Sequence, residues 1–388
     1  MHRFERMLSL AAILVLSSFM AVSSASSAGP TIVVDVKTGK VLEHKDAFQR
    51  WYPASLTKLM TAYVVFRQVQ TSQLSMDSPV TVSKKAAAAP PSKMHFKPGS
   101  QLTLDHAMKI IMVKSANDVS VAIAETVAGS HEQFVAMMNA EAQRLGMFDT
   151  RFINAHGLPG KGQRTTARDM AVLGVALKRE FPQRGNYFNI EAIKAGKRTY
   201  TNYNMLIGRF PGANGMKTGF ICSSGFNQVS SATRRGKTVV SVVLGAKDQQ
   251  ERADESARLL NKGLKTKSLA KPGLYSMRPY GENRLLTTDL RPQVCSASAR
   301  KARNTGRNAQ GQLTLNDRYI KPLGRSPRAV QVALTGRVPA ALAGVRIPVP
   351  TPRPFTPKTT VQPVTADAGI TSRRNTGGIP IPTARPSL

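Results

Sequence analysis

Acidic side chains are scarce in this sequence. Only 22 Asp and Glu stand against 55 Lys and Arg in 388 residues, a formal net charge of +33. A chain this basic is drawn to polyanions such as nucleic acid, anionic lipid headgroups or anionic wall polymers. Aromatic residues are few, at 6%, and they do not interleave with the basic ones, which counts against nucleic acid. Cysteine is limited to Cys222 and Cys295, with no histidines at ligand spacing, which argues against a metal site. In an oxidising compartment that even count permits one disulfide, the expected state, with two unpaired thiols as the alternative. Past residue 28 no segment is long and apolar enough to cross a bilayer.

The N-terminus explains the compartment. Arg3 and Arg6 precede the apolar run Met7 to Met20, and small residues follow, ending in Ser26 and Ala28. That order is the grammar of a secretory signal over residues 1–28. The alternative is a membrane anchor, but the run is short for a span, which needs roughly 20 residues. The mature chain is therefore expected in the periplasm or on the wall side of the cytoplasmic membrane. With 41% hydrophobic residues it can bury a full core.

Residues 29–265 read as one domain. Thr31 to Val36 and Lys40 to Glu43 are strand-like runs joined through Lys37-Thr38-Gly39, a hairpin pattern. Helical periodicity follows at about 55–70, 104–114, 118–128, 132–145 and 166–180. Strands return at Gly225 to Ala232 and Lys237 to Gly245, and a helix over about 251–264 closes this part. Strands at both ends with helices between predict an α+β fold with an inserted helical lobe. Residues 266–300 form a short extension. Residues 301–388 hold half of the 24 prolines, and 14 Lys and Arg against Asp317 and Asp367, a net +12. This tail reads as disordered. Either it is a solvated spacer or it attaches electrostatically to an anionic wall or membrane surface.

Three short elements carry chemistry. Ser55-Leu-Thr-Lys58 places a hydroxyl and an amine at i and i+3, on one helix face. A buried lysine near other cations can serve as the base that a serine nucleophile needs. A helix N-terminus at Ser55 also aims free N–H groups at a developing oxyanion. Ser115-Ala-Asn117 lies between two helices, where the hydroxyl can relay a proton and the amide can hold a peptide group. Taken in isolation, helix capping is the better account of the same residues, and Tyr200-Thr-Asn202 is a fainter competitor for the role. Lys217-Thr218-Gly219 opens a strand; its cation and hydroxyl suit a carboxylate, and Gly219 permits close backbone approach. Each pattern has decoys, at Ser268/Lys271, Ser298/Lys301 and Lys37-Thr-Gly39. The first is broken by Pro272, the second opens the tail, and the third sits in the hairpin turn.

Order and spacing separate the set from its decoys. Ser-x-x-Lys, then Ser-x-Asn about 60 residues on, then Lys-Thr-Gly about 100 further, is the signature of the penicillin-recognising serine enzymes. The longer strings Pro53-Ala-Ser-Leu-Thr-Lys-Leu-Met-Thr61, Lys97-Pro-Gly99, Phe152-Ile-Asn-Ala-His-Gly-Leu158, Thr166-Ala-Arg-Asp-Met170 and Gly215-Met-Lys-Thr-Gly-Phe220 resemble one branch. That branch is the low-molecular-mass penicillin-binding proteins that are D-alanyl-D-alanine carboxypeptidases. The resemblance covers about residues 30–265. It implies the transpeptidase-like fold, a mainly antiparallel sheet flanked by helices with an all-helical lobe, and catalysis without metal or cofactor. It implies Ser55 as nucleophile on a wall stem peptide, Lys58 as its base, Ser115 as relay and Asn117 as amide anchor. Lys217 and Thr218 would meet the terminal carboxylate, helped by Arg252, and the N–H groups of Ser55 and Phe220 would form the oxyanion hole. β-Lactams would acylate Ser55. Phe220 stands where some relatives have His, and the sequence after Leu264 does not look like their all-β C-terminal domain. A DD-endopeptidase would use the same residues, and a non-catalytic wall-binding protein could share the fold. A class A β-lactamase fits less well, because Glu180 and Glu191 lack the Glu-x-x-Leu-Asn setting.

Overall fold

The computed structural model describes residues 29–305 and 318–338; residues 1–28, expected to be a secretory signal, lie outside them. In chain order, β1 (Thr31–Asp35) and β2 (Val41–Lys45) form the expected hairpin. Asp35 Oδ1 closes its turn by accepting from the Lys37 and Thr38 amides, so that Lys-Thr-Gly copy is turn chemistry. A single 3-10 turn, Ala54–Leu56, runs into α1 (Thr57–Gln70). Then come β3 (Pro79–Thr81), α2 (Lys84–Ala88), β4 (Ser100–Thr103), α3 (Leu104–Val113), α4 (Asn117–Ala128) and α5 (His131–Arg144). Helix α6 (Ala167–Glu180) is followed by a 3-10 stretch and a hairpin of β5 (Ala192–Ala195) and β6 (Arg198–Thr201). The strands β7 (Ala213–Ile221), β8 (Gly225–Arg234) and β9 (Lys237–Ala246) lead into α7 (Gln249–Lys265). Short helices α8 (Arg291–Cys295) and α9 (Ala297–Thr305) end the first described stretch.

The central sheet is antiparallel throughout, in the order β2-β1-β9-β8-β7. Its two faces follow from the period of two along each strand. Ile32, Val34, Val240 and Val242 pack on the α1–α6 side, whereas Val33, Val239 and Val243 meet Ala253, Ala257 and Leu260 of α7. Gly174 lets α6 lie close to the sheet, since a Cβ there would stand 2.9 Å from Val240. Helices α3 to α5 form the inserted lobe, and Leu104, Ile111, Val119, Ile123, Phe134 and Met138 fill its interior. The α+β class and the lobe agree with the sequence reading. With this order, β7 ends at the sheet's edge, facing the turn that carries Ser55.

The tail departs from its reading as disordered over residues 318–338. There β10 (Ala329–Val332) pairs parallel to β5, and β11 (Gly336–Arg337) pairs antiparallel to β4. Ile320 and Val332 are buried, and Arg325 makes two bonds to the Glu191 carboxylate, at 2.6 and 2.8 Å. The cause is non-local: a four-residue β-prone run finds a partner far upstream, which composition dominated by proline and arginine conceals. Residues 306–317 and 339–388 lie outside the description.

The extension is stapled to the sheet. Cys222, just past β7, is bridged to Cys295 with Cα atoms 5.6 Å apart, and the Leu290 N–H donates to Ser223 O at 3.0 Å. The bridge closes a separation of 73 residues, for which chain entropy gives about 4 kcal/mol of stabilisation. Replacing both cysteines by serine is expected to lower the urea midpoint of the folded protein accordingly; an unchanged midpoint contradicts the staple's role.

Candidate active site

The turn bearing Ser55 is held from three sides. Ala54 adopts φ +47°, a conformation that costs a non-glycine residue energy and needs surrounding support. The sequence placed the helix start at Ser55; proline and this residue instead make a 3-10 turn, and α1 begins two residues later. Asn227 of β8 donates to Tyr52 O at 2.9 Å and accepts from the Gly245 N–H at 3.0 Å. Gly219 of β7 lies so close that a Cβ there would sit 3.0 Å from Ser55 N. Its lack of a side chain thus serves the approach of β7 to the serine turn. Gly157 abuts the same turn, with φ +91° and room for a Cβ only 1.8 Å from Ala54 O.

Lys58 is wholly buried one turn into the structure. Its Nζ lies 3.1 Å from Ser55 Oγ and donates to Asn117 Oδ1 at 2.8 Å and to His156 O at 2.7 Å. Burial holds its pKa well below the ordinary lysine value; Lys217 adds to the depression and Asp118 opposes it. A neutral amine has two N–H groups and one lone pair. The two fixed acceptors take the N–H groups, which leaves the lone pair facing the serine hydroxyl. The arrangement therefore favours the base form and aims it.

The second and third elements meet at one hydrogen bond. Ser115, at φ +61°, accepts from Lys217 Nζ at 3.1 Å, and Lys217 also donates to Thr218 O at 2.9 Å. Lys217 is buried, and burial, then the nearby Arg252 charge, brings its pKa down to about 7. Arg252 is buried over the Phe226 ring, donates to Tyr203 O at 2.8 Å, and is itself depressed to about 10 by burial. Phe220 is 40% exposed and stacks on Phe226 with ring centres 4.2 Å apart. The Asn117 side chain, expected to await a ligand, is engaged: besides Lys58 it donates to Pro90 O and Pro91 O. It ties the lobe's loop to the base.

Ser55, Lys58 and Asn117 are thus joined in one polar group and Ser115 and Lys217 in a second, with Thr218, Gly219, Phe220 and Arg252 around them. Tyr200-Thr-Asn202 does not join them; Asn202 bonds Ile190 O and the Asn204 N–H locally. Two contributors escaped the sequence reading. The His156 carbonyl is backbone and leaves no side-chain signal, although the glycine after it marks a tight approach. Asp118 closes the loop over Asn117 by accepting from the Met94 and His95 amides.

Fold and site together define the serine–lysine class of acyl-transfer centres. Residues 18–248 match the peptidase family described as D-alanyl-D-alanine carboxypeptidase, and the chain belongs to that family. It is 39% identical over 241 residues to the D-alanyl-D-alanine carboxypeptidase DacC of Escherichia coli, covering 60% of each chain. Penicillin binding protein 6B of Escherichia coli superposes with a TM-score of 0.59 at 34% identity, over 62% of this chain and 78% of that one. Penicillin-binding protein D2 of Listeria monocytogenes, solved in its cefotaxime-bound form, gives 0.56 at 28% identity, over 61% and 97%. The similarity spans less than two thirds of the length of the curated relatives.

Gly157→Ala is expected to displace the serine turn. A shift of about 1 Å in a reacting group costs on the order of 100-fold in rate, so acylation of Ser55 by a serine-directed probe should slow by that order. A rate within about twofold of the wild type contradicts the packing role given to this glycine.

Proposed function

We propose that this chain is an exported serine D-Ala-D-Ala carboxypeptidase that removes the terminal D-alanine from peptidoglycan stem peptides. The observation that carries the reading is the buried Lys58 amine 3.1 Å from Ser55 Oγ, with both other hydrogen-bonding directions occupied. Ser55 Oγ forms a bond to the carbonyl carbon of the penultimate D-alanine as its proton passes to Lys58. The N–H groups of Ser55 and Phe220 receive the oxyanion. The C–N bond then breaks, and the departing amine takes the proton through Ser115. Water attacks the ester, gives a proton to Lys58, and that proton returns to Ser55 as the acid leaves.

Lys217 and Thr218 receive the substrate's terminal carboxylate, and Arg252 deepens the positive field behind them. Asn117 holds Lys58 through its amide oxygen, while its amide nitrogen stays on Pro90 O and Pro91 O. β-Lactams enter as carboxylate-bearing amide mimics and remain on Ser55. The mature enzyme works on the wall side of the cytoplasmic membrane, where the +12 carried by residues 301–388 favours contact with anionic wall or membrane surfaces.

Mass spectrometry of a pentapeptide muropeptide should show loss of one alanine with the wild type and none with Ser55→Ala, which should also fail to label covalently with penicillin. Labelling that survives in that variant refutes the nucleophile; conversion of a cross-linked dimer to monomers instead of alanine loss makes the enzyme an endopeptidase.

The pH profile follows from the two lysines. Lys58 must be neutral, so kcat/KM rises as pH climbs through its depressed pKa. Lys217 must be charged to hold a carboxylate, so kcat/KM falls as pH climbs past about 7. A flat profile from about pH 5 to about pH 9 contradicts these roles.

A further inference from the structure

A cavity of about 370 Å³ lies next to the segment that leads into the serine turn. Its walls include Tyr52, Lys161, Arg164, Ser223, Asp289 and Arg291. Tyr52 is three residues before Ser55, and Ser223 is three residues after Phe220, so the cavity opens beside the far end of the cleft. Three cations line it against one acid. Among the described residues none of the three forms an ion pair, whereas Arg50, Arg144, Arg258 and Arg325 all do. Arg164 Nε is buried and has no hydrogen-bond partner. Arg50 and Arg151 add further positive field at Arg164, only partly offset by Asp149. The lone lining carboxylate, Asp289, is turned to the backbone, accepting from the Arg291 N–H at 2.9 Å.

We infer that this cavity is a subsite for a carboxylate of the acyl-donor peptide, upstream of the scissile bond, held by Arg291, Lys161 and Arg164. The inference rests on the proposed function for its register. With the terminal carboxylate at Lys217 and Thr218 and the scissile carbonyl at Phe220, a peptide on the free edge of β7 runs antiparallel to it. Its upstream residues then pass Phe220 and the strand's end at Ile221 toward the turn that holds Ser223, which puts the cavity roughly two or three residues from the scissile bond. Guanidinium and ammonium groups that have no carboxylate partner among the described residues, with only Arg164 Nη1 bonded, to Gly162 O at 3.3 Å, suit a carboxylate, which they meet through charge-assisted hydrogen bonds. Asp289 and Arg291 belong to the extension, beyond the residues that match the family. The disulfide and the Leu290–Ser223 bond hold them against the end of β7. Selectivity for an acidic donor is in this way assigned in part to a segment outside the residues that match the family.

The test uses two peptides ending in D-Ala-D-Ala that differ only upstream, one with a free side-chain carboxylate and one with the matching carboxamide. Their binding to the full-length Ser55→Ala protein is measured calorimetrically, so that no turnover is required. The acidic peptide is expected to bind about tenfold more tightly, the scale of one charge-assisted hydrogen bond. Arg291→Ala should bring the ratio close to one, and Arg291→Lys should restore most of it. Equal binding of the two peptides to the parent protein overturns the inference, as does an undiminished ratio in Arg291→Ala. Failure of penicillin to label the wild type at Ser55 is a separate result: it sinks the proposed function while the peptide comparison still decides the subsite.

Discussion

Everything at the centre of this protein depends on a lysine kept out of water. Lys58 has no carboxylate bonded to it; its partners are an amide oxygen, a backbone carbonyl and a serine. An ammonium in that setting lacks the counter-charge that burial demands, and the neighbouring Lys217 makes matters worse for the charged form. The surroundings thus stabilise the neutral amine, and the two fixed acceptors orient it. The inserted lobe supplies Asn117, the loop after α5 supplies His156, and α1 supplies the lysine itself. The site exists only where these elements converge.

The sheet provides the other half. Because β7 is the edge strand, it pairs with β8 on one side and keeps its outer edge free, while the serine turn lies over its face. Gly219 permits that approach, and Asn227 of β8 fixes the backbone just ahead of Ser55. Lys217 then reaches Ser115 across the cleft. One strand therefore places a cation, a hydroxyl and a backbone edge within reach of a peptide, which explains why the Lys-Thr-Gly element works here and not in the turn after β1.

Much of this was legible because helical and strand periods bring distant letters together in predictable ways. Ser55 and Lys58 meet through i,i+3 spacing, and the valines of β9 declare both faces of the sheet. A count of two cysteines permitted the pairing of Cys222 with Cys295, and the fold supplies its geometry. What the sequence concealed depends on partners that only the fold supplies. The Asn117 amide was expected to be open to a ligand, and its engagement by Pro90 and Pro91 comes from a loop more than twenty residues upstream. The strands at 329–337 depend on β4 and β5 for their identity, since four residues of β propensity in a proline-rich tail carry no weight alone.

The most direct test of the account is the protonation of Lys58 itself. Lysine Nζ can be followed by nitrogen NMR in the full-length protein labelled at lysine, with Lys58→Arg to identify the signal. The account predicts that the Lys58 resonance moves to the neutral-amine position well below the pH at which surface lysines titrate, about 10.4. A Lys58 resonance that titrates together with those surface lysines would contradict it, and Ser55 would then need a different base.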